Sequence, residues 1–348
     1  MNLLVIRMSA MGDVALTVPA IRSVLDTYPE MHLTLVTKKQ FLPFFENIDR
    51  LDLIAAEVKG KHRGIPGLRR LFKEIRGSGR IDAVIDLHDV LRSRILSFFF
   101  KNAGLPVFRI DKGRKEKKQL TARKEKRRVP LPHTVTRYLN VFGKAGFPAI
   151  LSVRTNWFNH ITFPESFLQK AHLLPKTVSW IGIAPFAKHR EKSWPLDKVA
   201  RLIAAFDPSD TLVFLFGGGE KEVARLNRLK EKYTHVIVVA GALTLTEELG
   251  LISKLDVMIS MDSANMHLAA LCGTPVVSIW GATHPFAGFG PLGGNEKFMV
   301  QISAEKLPCR PCSVFGNKPC YRGDHACMEW ITPEQVLETV EKAVKETR

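Results

Sequence analysis

Val257-Met258-Ile259-Ser260-Met261-Asp262-Ser263-Ala264-Asn265-Met266-His267-Leu268-Ala269-Ala270 is a short apolar strand that turns into an Ala-rich helix through Asp-Ser-Ala. The strand Val257–Ser260 is apolar without alternation, as a strand covered on both faces must be. A helix over Ser263–Cys272 that starts straight from such a strand presents unpaired amides and the positive end of its dipole. That end suits a phosphate or pyrophosphate. The chain opens with the same device: strand Leu3–Arg7, then the small-residue turn Met8-Ser9-Ala10-Met11-Gly12-Asp13.

Outward from these two junctions the pattern repeats. Strands are expected at Leu33–Thr37, Leu51–Ala55, Ala83–Leu87 and Val107–Ile110, with helices near Ala20–Thr27, Gly67–Arg76, Leu91–Lys101 and His133–Ala145. Phe158–Pro175 lacks periodicity and reads as a connection. The alternation then restarts with strands Val178–Ile183, Leu212–Phe216, Val236–Val239 and Val276–Ile279. Between them lie helices Pro195–Ala205, Glu220–Lys232 and Thr246–Ser253, and Pro333–Thr347 closes as an amphipathic helix. Strands separated by helices make parallel sheets covered on both faces. The expectation is an α/β protein of two Rossmann-like, doubly wound domains facing a cleft, residues 1–165 and 166–330, followed by a helix over 331–348.

The chain's 348 residues suit two domains, and 45% hydrophobic and 9% aromatic content with near-zero mean hydropathy excludes a disordered chain. No apolar run approaches the ~18–20 residues of a membrane span, and no signal-peptide pattern is visible, so a cytoplasmic location is expected. The net charge of +17 calls for an anionic partner: nucleic acid, a membrane surface or a phosphorylated substrate. Much of it is concentrated. Lys112–Arg128 holds ten basic residues against Glu116 and Glu125, a net of +8. So dense a run repels itself unless anions meet it. No RNP, KH, helix-turn-helix or zinc-finger signature accompanies it, which disfavours nucleic acid.

In doubly wound sheets, ligands bind beyond the carboxyl ends of the strands. After the first strand there is no G-x-G-x-x-G, which disfavours a dinucleotide enzyme. Asp13 either caps the following helix or faces the cleft as a reactive carboxylate. Lys188 and Lys192, in Lys188-His189-Arg190-Glu191-Lys192-Ser193-Trp194-Pro195, can neutralise a leaving phosphate or belong to a charged surface loop. Glu222 follows Gly217-Gly218-Gly219, where a carboxylate holds ribose hydroxyls or simply favours a helix's first turn. His267 is either a ligand contact or a packed core histidine.

These residues resemble the bacterial heptosyltransferase family, which builds the lipopolysaccharide inner core from ADP-heptose. The likeness lies in Met1–Val24 (Arg7, Ser9, Gly12, Asp13, Pro19), His133-Thr134-Val135-Thr136-Arg137-Tyr138, Lys192-Ser193-Trp194-Pro195, Gly217–Glu222 and Asp262–Thr274. The resemblance implies a GT-B fold whose last helix often crosses back to the first domain, and a metal-independent inverting transfer needing no cofactor. It implies Asp13 as general base on the acceptor hydroxyl, with Ser9, Ala10 and Gly12 beside the acceptor. Lys192 would meet the donor phosphate or ribose, Glu222 the ribose hydroxyls, and Asp262 the sugar; Lys188, in the same loop, is also expected at the donor. The amides of Ser263, Ala264 and Asn265 would receive the diphosphate, with His267 behind them.

Two departures stand out. Ala264 occupies a place where the family often has Gly, and Ala187-Lys188 replaces small hydroxyl residues. The basic run, through Lys115, Lys117, Lys118, Arg127 and Arg128, is expected on the acceptor side, where it would fit a phosphorylated lipid A–Kdo acceptor beside the inner membrane. The rival readings are a transferase using another ADP- or UDP-sugar and a basic nucleic-acid-binding protein. Lastly, Cys309, Cys312, Cys320 and Cys327 form C-x2-C-x7-C-x6-C, a spacing open to structural zinc, free thiols or a packed loop.

Overall fold

The computed structural model describes residues 1–154, 156–158, 161, 163 and 176–347. Most of the Phe158–Pro175 connection, and with it the expected boundary at 165/166, lies outside the described residues. The strands are β1 (Asn2–Ile6), β2 (His32–Thr37), β3 (Leu51–Ala55), β4 (Ala83–Asp86), β5 (Val107–Arg109), β6 (Ser179–Ala184), β7 (Thr211–Leu215), β8 (Val236–Val238), β9 (Val257–Met261), β10 (Val276–Trp280) and β11 (Met299–Gln301). They form two sheets, ordered β3-β2-β1-β4-β5 and β11-β10-β9-β6-β7-β8. Every pairing is parallel. Counted from β6, the second order is 6-5-4-1-2-3, the Rossmann order read from its far edge.

The unalternating strands are buried as their composition requires. Leu3, Leu4, Val5 and Ile6 are all fully buried, as are Val257, Met258, Val276 and Val277. Each sheet has its own core. In the first, Leu4, Ile6 and Val84 pack with Leu71, Ile75, Leu96 and Phe100 from the helices Gly64–Ser78 and Leu91–Asn102. In the second, Ile181, Val213 and Ile259 pack with Val199, Leu202 and Leu226.

The chain divides into two compact units, Met1–Arg114 with Pro132–Arg154, and Lys115–Leu131 with Thr155–Arg348. This corrects two sequence expectations. The stretch Lys115–Leu131 interrupts the first unit and belongs to the second. The helix Pro333–Thr347 also stays with the second unit: Val336, Val340 and Ala343 lie in its core, against the sheet and the helix Leu196–Ala204. Among the described residues no helix is long and apolar enough to cross a membrane.

Candidate active site

In each sheet the chain reverses its winding between two neighbouring strands, and loops from both open beyond that point. In the first sheet these strands are β1 and β4, with Ile6 opposite Asp86. β1 runs on into Arg7 and a turn with a cis Ser9–Ala10 peptide, then into the short helix Met11–Ala15. Asp13 sits inside this helix rather than at its N-cap, and Oδ2 reaches back to the Ala10 amide at 3.4 Å. The stronger partner is Arg7, whose Nη2 meets Asp13 Oδ2 at 2.6 Å. Arg7 is itself fixed: Nη1 donates to the Leu87 carbonyl at 2.6 Å, and the guanidinium lies 5.7 Å from the Tyr138 ring centroid. The Tyr138 hydroxyl donates to the Asp13 carbonyl at 3.1 Å. Both anchors of Asp13 thus engage its backbone or Oδ2, and the side chain stays 32% exposed.

β4 brings further groups to the same place. Buried Asp86 accepts the amides of His88 and Asp89, each at 2.9 Å, and shapes that turn. His88 Nε2 stands 3.2 Å from Ser9 Oγ. Burial, then the charges of Arg7 and Lys112, push the imidazole down to about 3, so it is neutral. Asp89 bridges Arg94 and Arg114, both at 2.7 Å, and its carbonyl takes Lys112 Nζ at 3.0 Å. Ser9, Ala10, Gly12 and Asp13 lie together on this turn, and Arg7, His88, Lys112 and Tyr138 join them. Sequence reasoning gave Arg7, His88 and Tyr138 no role of their own and counted Lys112 only within the basic run. Arg7 and Tyr138 stood inside the quoted motifs, whereas His88 and Lys112 come from strand ends that only the sheet order makes adjacent.

In the second sheet the reversal lies between β6 and β9, with Ala184 opposite Ser260. The loop after β6 carries Lys192, and β9 ends at Asp262; Lys192 Nζ meets Asp262 Oδ2 at 2.9 Å. Thr283, just past β10, donates Oγ1 to the same oxygen at 2.8 Å. The Lys192 stem lies across Gly316, where a Cβ would fall 2.4 Å from Cγ and where φ is +72°. Only glycine fits there. Trp194 anchors the loop, buried with Nε1 donating to the Ile331 carbonyl at 3.2 Å, and Pro195 is the N-cap of the next helix.

Ser263 is the N-cap of the helix Ala264–Leu271, its Oγ 3.2 Å from Ser260 Oγ, so the first amides of this helix have no upstream carbonyl. His267 is buried in it. Glu222 lies in the first turn of Glu220–Lys230 and accepts the Gly218 amide at 2.8 Å, pinning the Gly-rich loop. Lys188 is exposed and makes no ion pair among the described residues.

The basic run does not form one free surface. Residues Arg114–Leu120 are helical, a helix the charge density concealed. Lys117 is buried with Nζ 4.2 Å from the Phe289 ring centroid, Arg123 lies 4.8 Å from the Tyr321 ring centroid, and Arg128 donates to the Pro308 carbonyl at 2.7 Å. Backbone dipoles and π faces offset the self-repulsion. Lys115, Lys118, Arg127 and Arg128 remain exposed.

With this geometry in view, the profile of glycosyltransferase family 9 (heptosyltransferase) matches residues 68–317. The chain belongs to glycosyltransferase family 9. It is a glycosyltransferase, and its two parallel sheets are those of the GT-B fold. It is 24% identical to the lipopolysaccharide core heptosyltransferase OpsX of Haemophilus influenzae, over 98% of this chain and 96% of that protein. The solved family 9 glycosyl transferase from Veillonella parvula superposes with a TM-score of 0.75 at 22% identity, covering 99% of this chain and 97% of that one. The E. coli ADP-heptose LPS heptosyltransferase II gives a TM-score of 0.72 at 20% identity, covering 100% and 99%.

Proposed function

We propose that this family 9 enzyme transfers heptose from ADP-heptose to a phosphorylated inner-core acceptor of the Kdo-lipid A type, with inversion at the anomeric carbon. The observation that carries this reading is the parallel placement of one carboxylate–cation pair at the reversal point of each sheet: Arg7–Asp13 and Lys192–Asp262. ADP-heptose and the lipopolysaccharide acceptor come from the relatives, OpsX and heptosyltransferase II.

In this reading the first unit supplies the base. Arg7 occupies Asp13 Oδ2, and Oδ1 accepts the proton of the acceptor hydroxyl as its oxygen attacks the anomeric carbon. The bond from that carbon to the diphosphate oxygen breaks, and ADP leaves with the electron pair. The second unit holds the donor. The open amides of Ser263, Ala264 and Asn265 receive the diphosphate, and Lys192 stabilises the charge gathering on it. That charge stabilisation is what a divalent ion otherwise provides, so the reading includes no metal in the reaction. Asp262 has Oδ2 fixed by Lys192 and Thr283 and turns its other oxygen to a sugar hydroxyl. Glu222, with one oxygen on the Gly218 amide, offers the other to the ribose, and Lys188 is placed to meet the donor from solvent. The acceptor is anionic, and Lys112 with the exposed Lys115, Lys118, Arg127 and Arg128 supplies attraction for it. The same residues favour work at the cytoplasmic face of the inner membrane.

The test is a donor panel with purified protein and a Kdo-lipid A acceptor. Turnover with ADP-heptose and none with UDP-sugars is expected. Transfer from a UDP-sugar alone would replace the donor assignment with the rival transferase.

A further inference from the structure

Four of the five cysteines serve none of this chemistry, and the fold gathers them. Cys309, Cys312, Cys320 and Cys327 line one small cavity of about 10 Å³, roughly the space of a single water or ion. All four are free thiols, and the fifth, Cys272, is buried elsewhere with Sγ 3.6 Å from the Leu249 carbonyl. The four arrive on three separate supports. Cys309 and Cys312 form the C-x2-C turn, pinned where the Cys312 amide donates to the Ala282 carbonyl at 3.0 Å. Cys320 opens a turn closed by the Gly323 amide at 3.2 Å, and Cys327 lies on the short helix Ala326–Glu329.

A second observation concerns charge. Arg310, between the first two cysteines, is 1% exposed. Its guanidinium donates to the carbonyls of Gly281, Trp280 and Thr283 at 2.6, 3.1 and 3.1 Å, and to that of Ile302. Lys126 is half-buried and donates to the carbonyls of Cys309 and Pro311, both at 2.7 Å. Among the described residues neither cation has a carboxylate within ion-pair distance. Buried positive charge without a counter-anion is costly. Neutral thiols supply no counter-charge, whereas four thiolates around a divalent metal leave a net negative centre between these two cations.

We propose that Cys309, Cys312, Cys320 and Cys327 form a tetrathiolate site for zinc or ferrous iron, the metals this donor set selects. The site is structural, since four protein ligands leave no open position. Among the described residues no three His, Cys, Asp or Glu side chains are grouped in metal-holding geometry. Metals assemble such sites on binding, and here the four thiols already line one cavity.

The test is elemental analysis of the full-length protein purified without chelator, with mass spectrometry of its thiols. About one zinc or iron per chain is expected, the elemental analysis itself telling the two metals apart. Cys272→Ser keeps the metal and Cys309→Ser/Cys312→Ser loses it. Should the double variant fail to fold, the unmutated protein still decides. A mercurial titrant then releases the metal to a chromogenic chelator as thiols are modified, and Tm falls with the release. Protein that is metal-free after growth in zinc- and iron-supplemented medium, with its thiols titrating freely or with Cys309 joined to Cys312, would overturn the site.

Discussion

The Arg7–Asp13 and Lys192–Asp262 pairs occupy corresponding places in two sheets of the same winding, yet they are built for opposite ends. In the first, the cation is the buried partner: Arg7 is locked by Leu87 and Tyr138, while Asp13 is 32% exposed with an oxygen to spare. In the second, both partners are withdrawn from solvent, at 14% and 9%, and Asp262 Oδ2 is held twice, by Lys192 and Thr283. A fixed cation beside an accessible carboxylate suits proton transfer. A cation and a carboxylate that fix each other suit holding a ligand and meeting its charge.

The largest effect should come from Asp13→Asn, which keeps the shape and removes the proposed base. Transfer should fall about 10²–10⁴-fold, while ADP affinity by calorimetry stays unchanged. Retained turnover would end the contrast, because Asp13 would then not be the proton acceptor. Next in size is Lys192→Met, expected to lower kcat about 10²–10³-fold and to weaken ADP binding as well. It also leaves Asp262 uncompensated, so Tm should drop. Adding Asp262→Asn should return much of the stability but none of the activity. If the double variant stays as unstable as the single one, the pair is not the unit described here.

The contrast also explains what sequence could and could not show. The unalternating strands and the turns after them were enough for the parallel sheets, and Leu51–Ala55 begins and ends where expected. The Asp13 and Lys192 loops were visible because strand ends are where such folds bind. Their partners were not. Lys192 and Asp262 are seventy residues apart and meet only because β6 and β9 are neighbours. His88 depends in the same way on β4 lying beside β1. The basic run misled for a different reason. Its counter-groups are backbone carbonyls at 308–311 and the rings of Phe289 and Tyr321, and a carbonyl has no letter in a sequence. The closing helix was placed wrongly through likeness to relatives, whereas its own apolar stripe packs on the second sheet.

Acid should separate the two regions. His88 has its pKa depressed by burial to about 3 from an ordinary 6.5. The unfolded chain therefore binds a proton that the folded first unit refuses, and stability falls as pH drops from 6.5 towards 3. In the second unit His284, lowered by burial to about 4, acts in the same direction. Glu248, raised by burial to about 7, acts in the opposite one, because its folded form holds a proton the unfolded form lacks above pH 4.5. Between pH 4.5 and 6.5 the two offset each other. The first unit should lose on the order of 1 kcal/mol per pH unit there and the second much less, as read by hydrogen exchange in each. His88→Gln should flatten the first profile; an unchanged slope would mean the imidazole titrates normally.

The smallest effects divide the basic run itself. Lys117→Ala removes a buried ammonium from the Phe289 face and should cost about 1–2 kcal/mol in stability without altering salt dependence. Replacing exposed Lys115, Lys118 and Arg127 by Gln should leave Tm in place and raise the acceptor KM by about tenfold at low salt. That increase should shrink as ionic strength shortens the reach of the lost charges. The two variants differ little in composition and lie within one 17-residue run, so opposite outcomes would show that packing, not charge density, decides which lysines serve the fold. If the triple variant instead lost stability and kept its KM, the exposed face would be structural too, and attraction of the acceptor would fall to Lys112 and the groups around Asp13.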